Sequence, residues 1–307
     1  MSAITTSKEK HDIFGNLLVL TNGLVELKIT TDFGPRIIHC SKPGLENIFY
    51  EDTDKLPLGD PQPEYEGEII KLYGGHRLWI SPEFLPSCYY PDNEPVTVKE
   101  IKNGVELISP VEKFNNIQKI IRITLDEKLP TVSLTHSIKN CGPFAIEIAP
   151  WTITMLSPGG VEIMPQTSTD CGLLPNRNFT LWSYSEMDDP RVTWGKNYLI
   201  LRQDPKKENP FKFGYNNESG WAAYFNRKQL FVKFFEPELD GVYPDNGCCF
   251  ETYTNSKIIE MESLGELQII IPDATISHEE TWEIYEADSA PELNDAAIEK
   301  ALKNVIK

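Results

Sequence analysis

Long apolar runs are missing from this 307-residue sequence, and its first residues, Met1 to His11, lack the apolar core of an export signal. A membrane-spanning helix and a secretory leader are therefore not expected, and the sequence reads as cytoplasmic. Basic residues are scarce: 29 Lys and Arg face 46 Asp and Glu, a net charge of -17. Nucleic acid and anionic membrane surfaces would be repelled, so neither is an expected partner. The six cysteines form no Cys-x-x-Cys pair, which points to reduced, mostly buried thiols. No His-Glu-x-x-His, EF-hand loop, phosphate loop, dinucleotide fingerprint or Gly-x-Ser-x-Gly elbow occurs, so no cofactor is expected and no ligand spacing demands a metal.

Short segments of period-two hydrophobicity, bounded by Gly, Pro and Asn, fill the chain instead. Leu17 to Leu20 and Leu24 to Ile29 flank Asn22-Gly23 as a hairpin. Further strands are expected over 104–109, 118–125, 131–138, 145–154, 230–235, 249–254, 258–264, 267–271 and 281–285. The pattern has no repeat and no linker. It implies one all-β domain over 1–307, an antiparallel sandwich, and its 40% hydrophobic content suffices for a large core. One segment differs. Ser289-Ala-Pro-Glu292 has the form of a capping box, and Leu293, Ala297, Ala301, Leu302, Val305 and Ile306 recur at helical spacing. A terminal helix over about 291–306, packed on the sheet exterior, is expected. The stretch 170–217, rich in Trp, Tyr, Pro and Asn, reads as long loops of the kind that carry binding residues.

The densest chemistry lies in Leu72-Tyr-Gly-Gly-His76-Arg77-Leu-Trp79-Ile-Ser-Pro-Glu83. Adjacent glycines let a backbone or a ligand approach closely. Histidine exchanges protons near neutrality, and arginine and tryptophan bind oxyanions or stack on a sugar face. On a regular strand His76 and Arg77 face opposite sides. Either His76 points into a cleft with Leu78, or Arg77 and Trp79 point in together.

Glu260 and Glu262 share one face of a late strand, roughly 6 to 7 Å apart at their Cα atoms, a spacing that can raise one pKa and supply a base. The plainer alternative is a solvated strand face. Glu251, Tyr253 and Asn255 likewise share a face, after a turn carrying Asp245, and can bond hydroxyl groups. His136 reads as a core or edge histidine.

Several blocks taken in order resemble the galactose-mutarotase-like superfamily, most closely a branch with a Gly-Gly-His-Arg-Leu-Trp motif. They are Asp32-Phe-Gly-Pro-Arg36-Ile, the segment 74–79, Thr135-His-Ser-Ile-Lys-Asn140, Gly241-Val-Tyr-Pro-Asp245 with Phe250-Glu-Thr-Tyr-Thr254, and Ile258-Ile-Glu-Met-Glu262-Ser-Leu-Gly265. The resemblance implies a β-supersandwich with a sugar cleft on its concave face and a small carbohydrate as partner. It also implies aldose 1-epimerase chemistry, in which a carboxylate takes the anomeric proton and an imidazole protonates the ring oxygen. On this map Glu262 is the base and Arg36 holds sugar hydroxyls, while the residue chemistry above makes His76 the candidate acid and Arg77, Trp79, Glu83, Trp151, Asp245, Glu251, Tyr253 and Glu260 candidate substrate-binding residues. Two features depart from the family pattern: Ala149-Pro150-Trp151 stands where its second histidine is expected, and His76 follows its glycines instead of preceding them. A noncatalytic sugar-binding protein, or a lyase or hydrolase on a related sandwich, therefore stays open beside the isomerase. The sugar and the oligomeric state are not legible.

Overall fold

The computed structural model describes residues 4–170 and 172–306. Among them, strands form two antiparallel sheets of 11 and 10 strands. The first sheet runs from Thr5–His11 through the Asn22-Gly23 hairpin, where Leu20 pairs with Leu27. Its centre is the series Arg36–Ser41, His76–Ser81, Ile146–Leu156, Ile259–Leu264, Phe250–Thr254 and Phe211–Tyr215. The second sheet faces it, with Gln229–Phe235, Thr275–Glu286 and Thr131–Asn140 at its middle. This is the expected all-β sandwich.

Side-chain alternation decides what each layer contributes. In Thr131–Asn140 the inward positions are Val132, Leu134, His136, Ile138 and Asn140. In Thr275–Glu286 they are Ile276, His278, Glu280, Trp282 and Ile284. Polar groups thus occupy slots in an otherwise apolar stripe. The central strands of the first sheet show no exposed stripe at all. All six residues of His76–Ser81 and of Ile259–Leu264 are buried, because loops cover the outer face of this sheet.

The paired glycines serve the backbone. Gly74 and Gly75 have φ of 90° and 69°, and an added Cβ would lie 2.1 Å from the Tyr50 carbonyl oxygen or 2.2 Å from that of Ile37. Only residues without a side chain fit there.

The terminal helix packs on the outer face of the second sheet, where Ile298 and Leu302 meet Ile163, Trp221, Phe225 and Val232. It is shorter than the expected 291–306: it spans Asp295–Leu302. Asn294, not Ser289, caps it, its side chain accepting the Ala297 N–H at 3.0 Å. Pro291 and Glu292 precede this cap as irregular chain. Cys40, Cys88, Cys248 and Cys249 are buried free thiols and Cys141 is free and exposed, while Cys171 lies outside the described residues. Among the described residues no helix is long and apolar enough to cross a membrane.

Candidate functional site

Register places the site. Arg77 pairs with Ile153 and Trp79 with Trp151 across the first strand pair. Ile153 pairs with Glu262 and Met155 with Glu260 across the next, then Glu262 with Glu251 and Glu260 with Tyr253, and Tyr253 with Lys212. Alternation sends all of these side chains to the outer face of the first sheet. There they meet Leu58, Leu72, Glu83, Tyr89, Trp182, Tyr184 and Pro210 from the covering loops, around a cleft of about 380 Å³. Of the two orientations open for the His76–Trp79 stretch, the structure adopts the one with Arg77 and Trp79 facing the cleft.

Arg77 lies with its guanidinium carbon 4.0 Å from the centre of the Trp79 ring. Its Nε and Nη1 are buried without hydrogen-bond partners. Burial and the neighbouring Arg36 lower its pKa to about 10, which still leaves it charged at neutral pH. Trp79 packs against Trp151 and Tyr89 at ring-centre distances of 5.5 and 5.2 Å. Glu83 sits at the exposed rim and accepts the Tyr89 hydroxyl.

At the floor, Lys212 is boxed between two carboxylates and two indoles. Its Nζ lies 2.7 Å from Glu251 Oε2 and 2.9 Å from Glu262 Oε2, and 4.6 and 4.5 Å from the centres of the Trp151 and Trp182 rings. The two carboxylates hold the ammonium well above its ordinary pKa, against the opposing effect of burial. Trp151 Nε1 donates to the same Glu262 oxygen at 2.8 Å, while Glu262 Oε1 has no partner. Glu251 remains raised in spite of Lys212, burial being the dominant cause. Glu260 also lines the cleft. Burial first, then the Glu262 charge, push its pKa up to about 8, with Arg77 and Lys212 pulling the other way.

The structure therefore brings Arg77, Trp79, Glu83, Trp151, Tyr253 and Glu260 to the cleft wall, with Glu262 and Glu251 directly behind Lys212. Three expected site residues stand apart. Arg36 is fully buried under the turn at 72–74, donating through Nη1 to the Leu72 and Gly74 carbonyls at 3.0 Å each and through Nη2 to Asp92 at 2.7 Å. Asp245 sits in a left-handed turn whose carbonyl accepts the Thr180 hydroxyl at 2.9 Å, away from the cleft lining. His76 occupies the opposite face of its strand, between the sheets and fully buried.

There His76 belongs to a polar cluster. Its Nδ1 lies 2.8 Å from Thr154 Oγ1 and its Nε2 2.7 Å from His136 Nε2, while His136 Nδ1 lies 3.2 Å from the His278 carbonyl. A carbonyl only accepts, so His136 Nδ1 carries the proton and His136 Nε2 accepts from His76 Nε2. His76 Nδ1 then accepts from Thr154. Burial lowers the His76 pKa well below its ordinary value and those of His136 and His278 to about 4, so all three rings are neutral at pH 7. Glu280 accepts from Lys233 at 2.8 Å, Ser263 at 2.7 Å, Trp282 at 2.8 Å and Thr152 at 2.5 Å. His76, His136 and Glu280 offer ligand-type atoms within 4.8 Å of one another. Each of these atoms already takes part in the cluster, and Lys233 supplies the positive charge beside the carboxylate.

Lys212, Trp182, Tyr184 and Tyr89 were not singled out in the sequence. Lys212 carried a signal in retrospect, a lone charge that alternates with the inward aromatic residues of the strand Phe211-Lys-Phe-Gly-Tyr215 and so points to the outer face.

No protein-family model matches the sequence, and no curated protein does. Solved structures do match in fold. A galactose mutarotase-like protein from Lactobacillus casei aligns with a TM-score of 0.56 at 9% identity, over 88% of this chain and 100% of that one. One from Clostridium acetobutylicum aligns with a TM-score of 0.54 at 12% identity, over 92% and 99%. A TPR-domain containing protein from Parabacteroides distasonis aligns with a TM-score of 0.61 at 12% identity, over 91% of this chain and 48% of that one. The chain has the galactose-mutarotase-like fold.

Proposed function

We propose, on the premise of that fold, that the cleft binds a small carbohydrate and that the protein is an aldose 1-epimerase-type isomerase of free aldoses. The observation that carries the reading is the cleft lining. Trp79, Tyr89, Trp151, Trp182, Tyr184 and Tyr253 surround Arg77, Lys212, Asn255 and Glu260. Indole and phenol rings stack on the apolar face of a pyranose while amide, guanidinium and carboxyl groups bond its hydroxyls. The Arg77 donors that lack protein partners are matched by sugar oxygens in this reading. For proton movement, the sequence expectation makes Glu262 the base; Lys212 and Trp151 hold its Oε2 behind the cleft lining, whereas the Glu260 carboxyl lines the cleft itself.

Binding is tested by titrating the intrinsic tryptophan fluorescence with a panel of aldoses. Trp79→Ala is expected to weaken binding at least tenfold, from loss of roughly 1.4 kcal/mol or more of stacking. Turnover is tested by polarimetry or saturation-transfer NMR of anomer exchange. A panel that leaves the fluorescence unchanged would reject the carbohydrate reading. A second reading, sugar binding without turnover, draws on one observation: no histidine among the described residues lines the cleft. Tight binding with exchange at the uncatalysed rate would establish it.

A further inference from the structure

We propose that Glu260 alone moves both protons of anomer interconversion, its carboxyl donating to the ring oxygen while its second oxygen accepts from the anomeric hydroxyl. The inference rests on the reading of the cleft as a site for free aldoses, and it explains how such a site works without an imidazole.

The geometry leaves few alternatives. Glu260 lines the cleft, and no described residue hydrogen-bonds or ion-pairs with its carboxyl. The Lys212 ammonium is held by Glu251 and Glu262 and does not release its proton near neutrality. Arg77 is charged throughout the working range. The three inward histidines are neutral and lie on the other side of the sheet.

A neutral carboxyl presents one donor and one acceptor oxygen on a single carbon. The anomeric carbon likewise bears a hydroxyl donor and a ring-oxygen acceptor, so the two units can face each other as a ring of two hydrogen bonds. In the forward step the Glu260 O–H proton passes to the ring oxygen as the C1–O bond breaks, that electron pair staying with the ring oxygen. The anomeric O–H electrons become the new C1=O bond, and its proton goes to the other Glu260 oxygen. Rotation about C1–C2 and the reverse transfers close the opposite anomer. Glu260 is neutral before and after each transfer, and no proton is exchanged with solvent.

The groups facing Glu260 support the neutral form. Glu262 from its own strand and Glu83 from the rim raise its pKa, whereas Arg77 and Lys212 from neighbouring strands lower it; Tyr253 and Met155, its register partners, are uncharged at neutral pH. Burial is the largest cause on the raising side, for a value of about 8. Glu262 is then a positioning residue, holding Lys212 and keeping the proton on Glu260.

The experiment combines a pH profile with an infrared difference spectrum. For the wild type, kcat for anomer exchange of a bound aldose should be flat on the acid side and fall tenfold per pH unit above about 8. Glu260→Gln should keep sugar affinity and lose roughly 10²-fold or more in kcat. The difference spectrum of sugar-free wild type minus Glu260→Gln at pH 7 should contain one protonated-carboxyl band, and in Glu262→Gln the alkaline limb should move to lower pH. A bell-shaped profile would overturn the proposal in favour of a separate acid and base, as would wild-type turnover in Glu260→Gln or absence of the infrared band. Sugar that binds but is not turned over would also overturn it, leaving the carbohydrate reading intact; sugar that does not bind would end both.

Discussion

Replacing Lys212 by methionine keeps the length of the side chain and deletes its charge. Glu251 and Glu262 then lose the ammonium that lies 2.7 and 2.9 Å from them, and both carboxyls are fully buried. Removing one partner of a buried ion pair costs about 3–5 kcal/mol because the remaining charge has no compensation. The loss should depend on pH in a definite direction. Glu251 is already raised by burial even with Lys212 present. Without Lys212 the Glu251 carboxyl rises further above its unfolded value, and a raised carboxyl contributes stability that is present at low pH and lost as pH increases. The deficit of Lys212→Met should therefore be greatest near pH 9 and shrink toward pH 5, by about 1.4 kcal/mol per pH unit for each proton taken up on folding. The wild-type ammonium keeps its charge over this range, since the Lys212 pKa is raised well above its ordinary value. Urea unfolding at pH 5, 7 and 9 measures the effect, and Lys212→Met with Glu262→Gln should recover part of the deficit. An equal deficit at all three pH values would show that methionine disturbs packing and that charge pairing is not the cause.

Glu162 tests the same logic between the sheets: it accepts the Thr252 hydroxyl at 2.6 Å, its other oxygen has no partner, and burial pushes its pKa up to about 8. Ionising it costs stability as pH rises from its unfolded value to about 8, so Glu162→Gln should gain about 4 kcal/mol relative to wild type between pH 4.5 and pH 8 in urea titrations; no change in the difference would refute its protonated state. His136 and His278, depressed to about 4, contribute stability that is intact above pH 6.5 and lost as pH falls toward 4, up to roughly 3 kcal/mol each. Their imidazole NMR signals should remain neutral at pH 5.5, and midpoints near 6.5 would contradict the buried cluster. Leu302→Ala, at the seam between the terminal helix and the second sheet, should cost about 2–5 kcal/mol in thermal or urea unfolding. A loss below about 1 kcal/mol would mean that the seam relaxes around the missing side chain.

The sheet architecture was legible because most strands bury one face and expose the other, as Ile117–Leu125 does with Ile117, Lys119, Ile121, Ile123 and Leu125 inward. The strands that carry the cleft were harder. Phe211-Lys-Phe-Gly-Tyr215 alternates in polarity, but a lone charge on such a strand reads as an ordinary solvent-facing position, and nothing local shows that loops bury it. For that reason Lys212 escaped notice, and the choice between His76 and Arg77 stayed open although both residues had been picked out. The stretch 170–217, expected to be long loops, holds the strands Phe179–Leu181, Val192–Trp194, Tyr198–Arg202 and Phe211–Tyr215; Trp182 and Tyr184 do lie in loop between them, but their convergence on Arg77 depends on contacts across more than one hundred residues of chain, which local pattern does not encode. Helix length went astray for a local reason: helical spacing of apolar residues extends beyond the segment that is capped, and Asn294 sets the start.

The cluster between the sheets bears on the cleft through strand neighbours. Arg77 is flanked by His76, Trp151 by Thr152, and Glu262 by Ser263, and each flanking residue is tied into the hydrogen-bonded assembly around His136 and Glu280. An interface of hydrocarbon alone tolerates small sliding of one layer on another, since dispersion has no direction. Donors and acceptors of fixed polarity do not: a displaced layer would set acceptor against acceptor. The assembly thus works as an indexing pin, holding the two sheets in one alignment and so fixing the spacing of the groups on the far side. Substitutions at Thr152 or Ser263, which never meet a ligand, should then loosen cleft geometry as well as stability, a dependence that contacts within the cleft alone would not suggest.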